Sequence, residues 1–315
     1  MSVVYFVVPC YNEEQVLPET VKRLTEKINE LVAGGLASEK SRVLFVDDGS
    51  KDKTWELIEK YSAESKYIGG VKLSRNRGHQ NALLAGLMTA KGKCDCAISL
   101  DADLQDDIGV LDQFVKKYQE GCEVVYGVRS SRDKDTAFKR GTAQGYYKFM
   151  AMLGVEIVYN HADYRLLGSR ALEALSEYRE VNLFLRGIVP LIGFRSDYVY
   201  YERSERFAGE SKYPLSKMLK FAVDGITSFS VKPLKIISNL GIIICLLSVI
   251  FFVYALILFF SGSSVAGWAS IMCSIWFLGG LQMLCIGIVG TYVGKIYSES
   301  KHRPRFIIDK TIIRK

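Results

Sequence analysis

The sequence predicts an α/β protein with a mainly parallel sheet, followed by an apolar helical hairpin. Three observations point there. Short β-rich apolar runs alternate with amphipathic stretches through the first half of the chain, polar residues follow those runs directly, and no Asp, Glu, Lys or Arg occurs between residues 236 and 294. Strand-length runs separated by helical segments imply βαβ crossovers, which pair strands in parallel.

The strand-like runs fall at residues 3–8, 43–46, 68–73, 97–100 and 124–128, and the helical patterns between them at 13–31, 53–62, 80–90 and 110–118. Asn12 and Ser50 are the expected N-caps of the first two helices. Residues 133–206 read as mixed: helices at 138–153, 169–178 and 183–192, a strand at 197–201, and then a polar, Gly-containing loop at 205–212. The first run starts at the N-terminus without the basic n-region of a signal peptide.

From 213 to 231, Leu215, Met218, Leu219, Ala222, Ile226 and Phe229 recur at helical spacing, with Lys217, Lys220, Asp224 and Ser228 on the other face. Placed just before an apolar span, this stretch reads as a helix in the membrane interface. Residues 236–260 and 269–293 each exceed the roughly 20 residues a span requires. A short uncharged link, 261–267, joins them. Lys232 and Lys235 precede the hairpin, and Lys295, Lys301, Arg303, Arg305, Lys310, Arg314 and Lys315 follow it. Basic ends around a neutral tip place both termini on the cytoplasmic side. The expected organisation is a catalytic domain at 1–212, an interfacial region at 213–233, two membrane helices at 234–296 and a basic tail at 297–315.

Composition narrows the partners. A mean hydropathy of +0.11 beside 24% charged residues means the apolar content is concentrated in one region. The net charge of +7 is spread out except in the tail. No aromatic-basic motif accompanies it, which favours anionic lipid headgroups and diphosphates over nucleic acid. Seven cysteines without a Cys-x-x-Cys pair, and only three histidines, argue for reduced thiols and against a zinc site.

In a parallel sheet, ligands bind off the carboxyl ends of the strands. Three polar elements lie there. Asp101-Ala102-Asp103-Leu104-Gln105 offers two carboxylates at i, i+2, a donor set for a hard divalent cation bridging diphosphate oxygens. Asp47-Asp48-Gly49-Ser50 offers carboxylates to a base or ribose, or equally a capping turn. Pro9-Cys10-Tyr11-Asn12-Glu13 offers a ring to stack on a base and a carboxylate to bond it. A dinucleotide Gly-x-Gly-x-x-Gly turn and a phosphate-binding Walker motif are both missing.

Together with Arg75-Asn76-Arg77-Gly78-His79-Gln80, Asp163-Tyr164-Arg165-Leu166-Leu167 and the stretch from Arg206 through Gly209, Ser211 and Lys212 to Tyr213, these motifs resemble family 2 glycosyltransferases. The similarity is to the polyprenyl-phosphate branch, and it covers nearly the whole chain. It implies a Rossmann-like GT-A fold and inverting transfer of a hexose, glucose from UDP-glucose being the first reading, onto undecaprenyl or another polyprenyl phosphate. Pro9, Tyr11, Glu13, Asp47, Asp48 and Asp101 would bind the nucleotide. Asp103 and Gln105 would hold Mg²⁺ or Mn²⁺. Arg75, Arg129, Arg165, Arg206, Ser211 and Lys212 would take phosphates, and Asp103, Asp163, Arg129 and Lys212 form the catalytic set, with Asp163 as base or acceptor-positioning group. His79 is open between a structural and a functional role.

A phosphate monoester acceptor is mostly dianionic at neutral pH, so neutralising charge matters more than a strong base. A processive polysaccharide synthase would carry an Arg-Trp acceptor dipeptide, which this chain lacks; a nucleotide-binding scaffold is the non-enzymatic alternative. Gly279, Gly280, Gly287 and Gly290 would permit close packing of copies of the hairpin.

Overall fold

The computed structural model describes residues 1–130, 161–181, 183–202, 230, 232–261 and 267–314. The expected helix at 138–153, the loop at 205–212 with Arg206, Ser211 and Lys212, the interfacial helix and the hairpin tip lie outside the described residues, Ser230 and the ends of the tip excepted.

The strands are β1 (Val4–Cys10), β2 (Arg42–Asp47), β3 (Ile68–Leu73), β4 (Cys96–Ser99), β5 (Val124–Arg129), β6 (His161–Gly168), β7 (Ser196–Tyr201) and β8 (Ile308–Ile312). They form one sheet in the order β7-β5-β6-β4-β1-β2-β3-β8. Strands β1 to β4 run parallel, β6 is antiparallel to β4 and β5, β7 is parallel to β5, and β8 is antiparallel to β3. The sheet is thus mixed and mainly parallel, as the sequence predicts.

The helices of this unit are α1 (Leu17–Ala33), α2 (Thr54–Glu64), α3 (His79–Ala90), α4 (Leu111–Gln119), α5 (Ser169–Glu177) and α6 (Leu185–Leu191). Side-chain alternation along the strands covers both sheet faces. Val4, Phe6 and Val8 of β1 join one core cluster with Leu17, Leu24 and Ile28 of α1, Trp55 of α2 and Phe114 of α4. Val7 and Val46 face the other way onto α3. There Gly86 permits the contact, since a Cβ on it would lie 2.3 Å from Val7.

Neither expected N-cap holds. The cap positions of α1 and α2 are Val16 and Lys53, without side-chain caps. Asn12 and Ser50 bond each other's loops instead: the Asn12 amide donates to Ser50 Oγ at 3.0 Å and the Lys51 amide to Asn12 Oδ1 at 2.9 Å. Long-range bonds between the first two βα loops have displaced local capping.

Strands β6 and β8 were not expected. β8 lies in the stretch read as a basic tail. It pairs along β3, and Lys310 Nζ reaches Glu59 Oε1 at 3.4 Å while Arg314 donates to the Ala63 carbonyl at 2.9 Å.

The second unit contains α7 (Lys232–Phe260) and α8 (Trp268–Ser300), of 29 and 33 residues. At 1.5 Å per residue each is about 40–50 Å long, more than the roughly 30 Å apolar core of a bilayer. Ile242, Leu246, Ile250 and Ile257 on α7, and Phe277, Met283 and Ile286 on α8, are each more than half exposed. Among the described residues, the one segment that meets a span's length and hydropathy is Phe277–Ser300, 24 residues with a mean hydropathy of 1.6 in its apolar window. The Tyr292 hydroxyl donates to the Ser230 carbonyl at 2.7 Å, tying α8 to the chain just ahead of α7. After α8 the chain returns to the sheet unit at Arg303.

Candidate active site

Six strands, β1 to β5 and β7, point the same way, so their carboxyl ends share one edge. β6 runs against them, which brings its beginning, Asp163, to that same edge. Its partner across β4 is fixed by the Ser99–Arg165 register. The topology thus gathers the loops after β1, β2, β3 and β4 and the start of β6.

The loops after β1, β2 and β3 interlock. The Asp48 amide donates to the Cys10 carbonyl at 2.9 Å, and the Glu13 amide to Thr54 Oγ1 at 2.9 Å. The Asp47 carboxylate accepts the Ser50 amide at 3.0 Å, which closes the turn after β2. The Asp48 carboxylate accepts the amides of Arg77 at 2.7 Å and Gly78 at 2.8 Å and so anchors the turn that leads into α3. Burial raises the Asp48 pKa above the ordinary carboxylate value, against the lowering pull of these two amides. Gly49 takes φ +69°, and a Cβ on it would lie 2.6 Å from the Asn76 nitrogen, so only glycine fits where the two turns meet.

Tyr11 is exposed and Glu13 half-buried beside this knot, while Asp47 and Asp48 are buried within it. Pro9 is buried near the end of β1, and Arg75 is exposed on the loop after β3.

After β4 the chain presents Asp101 and Asp103, both half-buried, and Leu104 turns through φ +54°. That left-handed residue bends Asp103 back so that its carboxylate accepts the Gln105 amide at 3.2 Å. His79 Nε2 lies 3.0 Å from Asp101 Oδ1, linking the first residue of α3 to the acidic turn. Burial opposes a charge on His79, but the bond and charge of Asp101, with Asp163 beyond, outweigh it and raise the ring's pKa.

Behind the turn, Asp106 accepts the Tyr201 hydroxyl at 2.6 Å, while Arg129 approaches the same oxygen at 3.9 Å and Tyr201 Oη at 3.4 Å. Burial, reinforced by Asp101, pushes the Asp106 pKa up to about 6. Its other carboxylate oxygen is buried with no hydrogen-bond partner among the described residues.

Asp163 is clasped on two sides. Arg165 Nη2 contacts Oδ1 at 2.5 Å, while Arg186 of α6 bonds with Nε to Oδ1 at 3.2 Å and Nη2 to Oδ2 at 3.0 Å. Burial would raise the acid's pKa, but Arg186 and Arg165 override it and hold Asp163 far below the usual carboxylate range. A carboxylate so stabilised is a weak proton acceptor, which favours the positioning role over that of a base.

Arg165 corrects a second expectation. Its side chain is 2% exposed, spent on Asp163 and on the Leu185 carbonyl at 3.1 Å, so it faces the interior and not a phosphate. Two members of the cluster escaped the sequence reading: Asp106 lies one residue past the acidic motif, and Arg186 sits in a helix with no motif signal.

The donor set after β4 is all oxygen, which suits Mg²⁺ or Mn²⁺. Among the described residues no group of three His, Cys, Asp or Glu side chains is arranged to hold an ion alone. Asp103 and Gln105 alone would leave such an ion short of ligands, and it would draw the others from a bound molecule.

The profile of the family described as "Glycosyl transferase family 2" matches residues 5–176, more than half of the chain. The chain belongs to glycosyl transferase family 2. This glycosyltransferase is 56% identical over 307 residues to an uncharacterized glycosyltransferase, YkoT, of Bacillus subtilis (strain 168), covering 98% of this chain and 91% of that one. It is 38% identical to the bactoprenol glucosyl transferase of Shigella phage SfV, covering 96% of each chain. Among solved structures, a mannosyltransferase from Pyrobaculum calidifontis in complex with GDP-Man and Mn²⁺ aligns with a TM-score of 0.48 at 18% identity, over 72% of this chain and 70% of that one.

Proposed function

We propose that this glycosyltransferase moves a hexose, glucose from UDP-glucose as the first reading, onto undecaprenyl or another polyprenyl phosphate, with inversion at the anomeric carbon. The observation that carries this reading is the meeting of the Asp101–Gln105 turn with the His79 loop and the Asp163–Arg186 pair at one sheet edge. Oxygen donors and guanidinium groups stand together there, and a reaction between two phosphate-bearing substrates requires both. Likeness over nearly the full chain to a bactoprenol glucosyl transferase supports a polyprenyl phosphate as the acceptor.

Tyr11 and Glu13 would take the base, while Asp47 and Asp48 would shape the pocket by fixing the turns behind it. Asp103 and Gln105 would hold Mg²⁺ or Mn²⁺, which when bound offsets charge developing on the departing diphosphate. The acceptor phosphate already carries its negative charge, so no residue has to remove a proton. The chain's own task is to hold two anions in line. Asp163 would serve by fixing its guanidinium partners, with Arg75, Arg129, Arg206, Ser211 and Lys212 as further phosphate contacts.

We place the enzyme on the cytoplasmic membrane through α7 and α8, with the catalytic domain and both ends cytoplasmic. The chain leaves the sheet unit for these helices and returns to it as β8, which accords with an even number of crossings. Basic residues flank both ends of the pair.

The test is a panel of labelled UDP-glucose, UDP-N-acetylglucosamine, UDP-galactose and GDP-mannose supplied with undecaprenyl phosphate to the full chain in detergent. Lipid-linked label from one donor supports the reading and names the sugar, whereas no lipid-linked label from any donor defeats it.

A further inference from the structure

Asp163 has one carboxylate and two guanidinium partners, and the two differ in kind. Arg165 is 2% exposed and donates inward to the Leu185 carbonyl, so it acts as the buried counter-charge. Arg186 is 38% exposed at its side chain, although the same carboxylate grips it through Nε and Nη2. A guanidinium held along one edge by two parallel bonds has its plane fixed. Of the two guanidinium groups that Asp163 holds, Arg186 is the one that reaches solvent.

Its place is also fixed. The Leu185 amide donates to Gln80 Oε1 at 3.1 Å, tying the start of α6 to the start of α3. Gln80 follows His79, whose ring touches Asp101. Arg186 therefore stands beside the acidic turn that would receive a nucleoside diphosphate, on a helix anchored to the adjoining loop.

We infer that Arg186, oriented by Asp163, binds a phosphate oxyanion of one of the two substrates. This rests on the proposed reading that both are phosphate-bearing. The oxyanion belongs either to the donor's diphosphate or to the lipid's phosphate monoester, which share the chemistry that a fixed guanidinium recognises.

The experiment measures equilibrium binding, so it needs no turnover. The full chain in detergent is titrated with UDP in the presence of Mn²⁺ and, separately, with a short-chain polyprenyl phosphate, as wild type, Arg186→Gln and Arg186→Lys. Arg186→Gln is expected to weaken one ligand at least tenfold and leave the other within twofold, and the weakened ligand identifies the source of the oxyanion. Arg186→Lys keeps the charge beside Asp163 but loses the planar fork, and should weaken the same ligand at least threefold. Wild-type affinity for both ligands in the folded variants, or equal weakening of both, overturns the inference. If Arg186→Gln fails to fold, the Lys variant alone decides. A wild type that binds both ligands but makes no lipid-linked sugar would sink the transfer reading and leave this one standing.

Discussion

Asp48 accepts the amide of Gly78 at 2.8 Å, so the acid that opens the loop after β2 sets the turn leading into the helix after the third strand. The same carboxylate takes the neighbouring Arg77 amide at 2.7 Å. The acidic pair after β2 thus acts through backbone geometry. Replacing Asp48 with Ala leaves two amides without their acceptor, at a cost of about 1–3 kcal/mol each where buried. The expected outcome is a KM for the nucleotide sugar raised at least tenfold with a smaller change in that for the lipid, read from initial rates with each substrate varied.

Gly49 is a more local test of the same knot. At φ +69°, with a Cβ placed 2.6 Å from the Asn76 nitrogen, Gly49→Ala must push the two turns apart. Strain of this kind costs about 1–3 kcal/mol. Thermal unfolding should show that loss together with weaker UDP binding, while Gly92→Ala, with φ +75° but nothing within 4 Å of its Cβ, should leave UDP binding unchanged.

Asp163 yields a prediction in pH. Its pKa in the folded protein is depressed, chiefly because Arg186 and Arg165 override the effect of burial. A depressed acid contributes stability that is fully present above its unfolded value, about 3.9, and is lost as pH falls from there through the folded value. Asp163→Asn leaves the buried Arg165 without its counter-charge, a change that costs about 3–5 kcal/mol for a buried pair. The stability gap between wild type and Asp163→Asn should be full at pH 6 and narrow as pH falls below about 4. Denaturant unfolding across that range checks it, and a gap independent of pH would contradict the ion-pair account.

Strand β8 closes the β3 edge of the sheet. Deleting residues 307–315 removes the β3–β8 ladder and the bond from the Ser74 amide to the Ile307 carbonyl at 3.0 Å, just ahead of the Arg75–His79 loop. Hydrogen exchange on the truncated chain in detergent, compared with the full chain, should show lost protection along β3 and Ser74, with β5 and β6 unchanged.

Five strands were legible as apolar runs, because burial on both faces of a sheet demands them: β1, β2, β3, β4 and β5 fall within a few residues of their expected bounds, as does β7, whose run alternates. β6 was hidden because its start carries Asp163 and Arg165, charged residues that look solvated until a partner is known. β8 was hidden in a basic tail, its Ile308-Asp309-Lys310-Thr311-Ile312 too short to show a period. The acidic turn after β4 was legible from its place after an apolar run and its company with the polar elements after β1 and β2. The fate of Arg165 was not, since burial of an arginine depends on the carboxylate that meets it, and Arg186 lies outside β6, in α6, 23 residues beyond Asp163. Asn12 and Ser50 were misread as caps because their side chains bond across loops, a tertiary preference that local patterns do not carry.

The role of Asp103 is tested by metal dependence. Asp103→Ala should lower the transfer rate by at least a hundredfold, about 2.7 kcal/mol in barrier. It should also abolish the stimulation by Mn²⁺ that the wild type is expected to show, read by titrating Mn²⁺ into EDTA-treated enzyme. An equal response to Mn²⁺ in both proteins would remove Asp103 from the metal site.

In the proposed reaction a lipid phosphate accepts the sugar. The full chain in detergent, given radiolabelled UDP-glucose and Mn²⁺, is offered undecaprenyl phosphate or undecaprenol in parallel, and label is counted in the lipid extract. Transfer to a lipid phosphate predicts lipid-linked label with the phosphate and none with the alcohol. Label on undecaprenol, or sugar released to water at a rate the phosphate does not change, would contradict it.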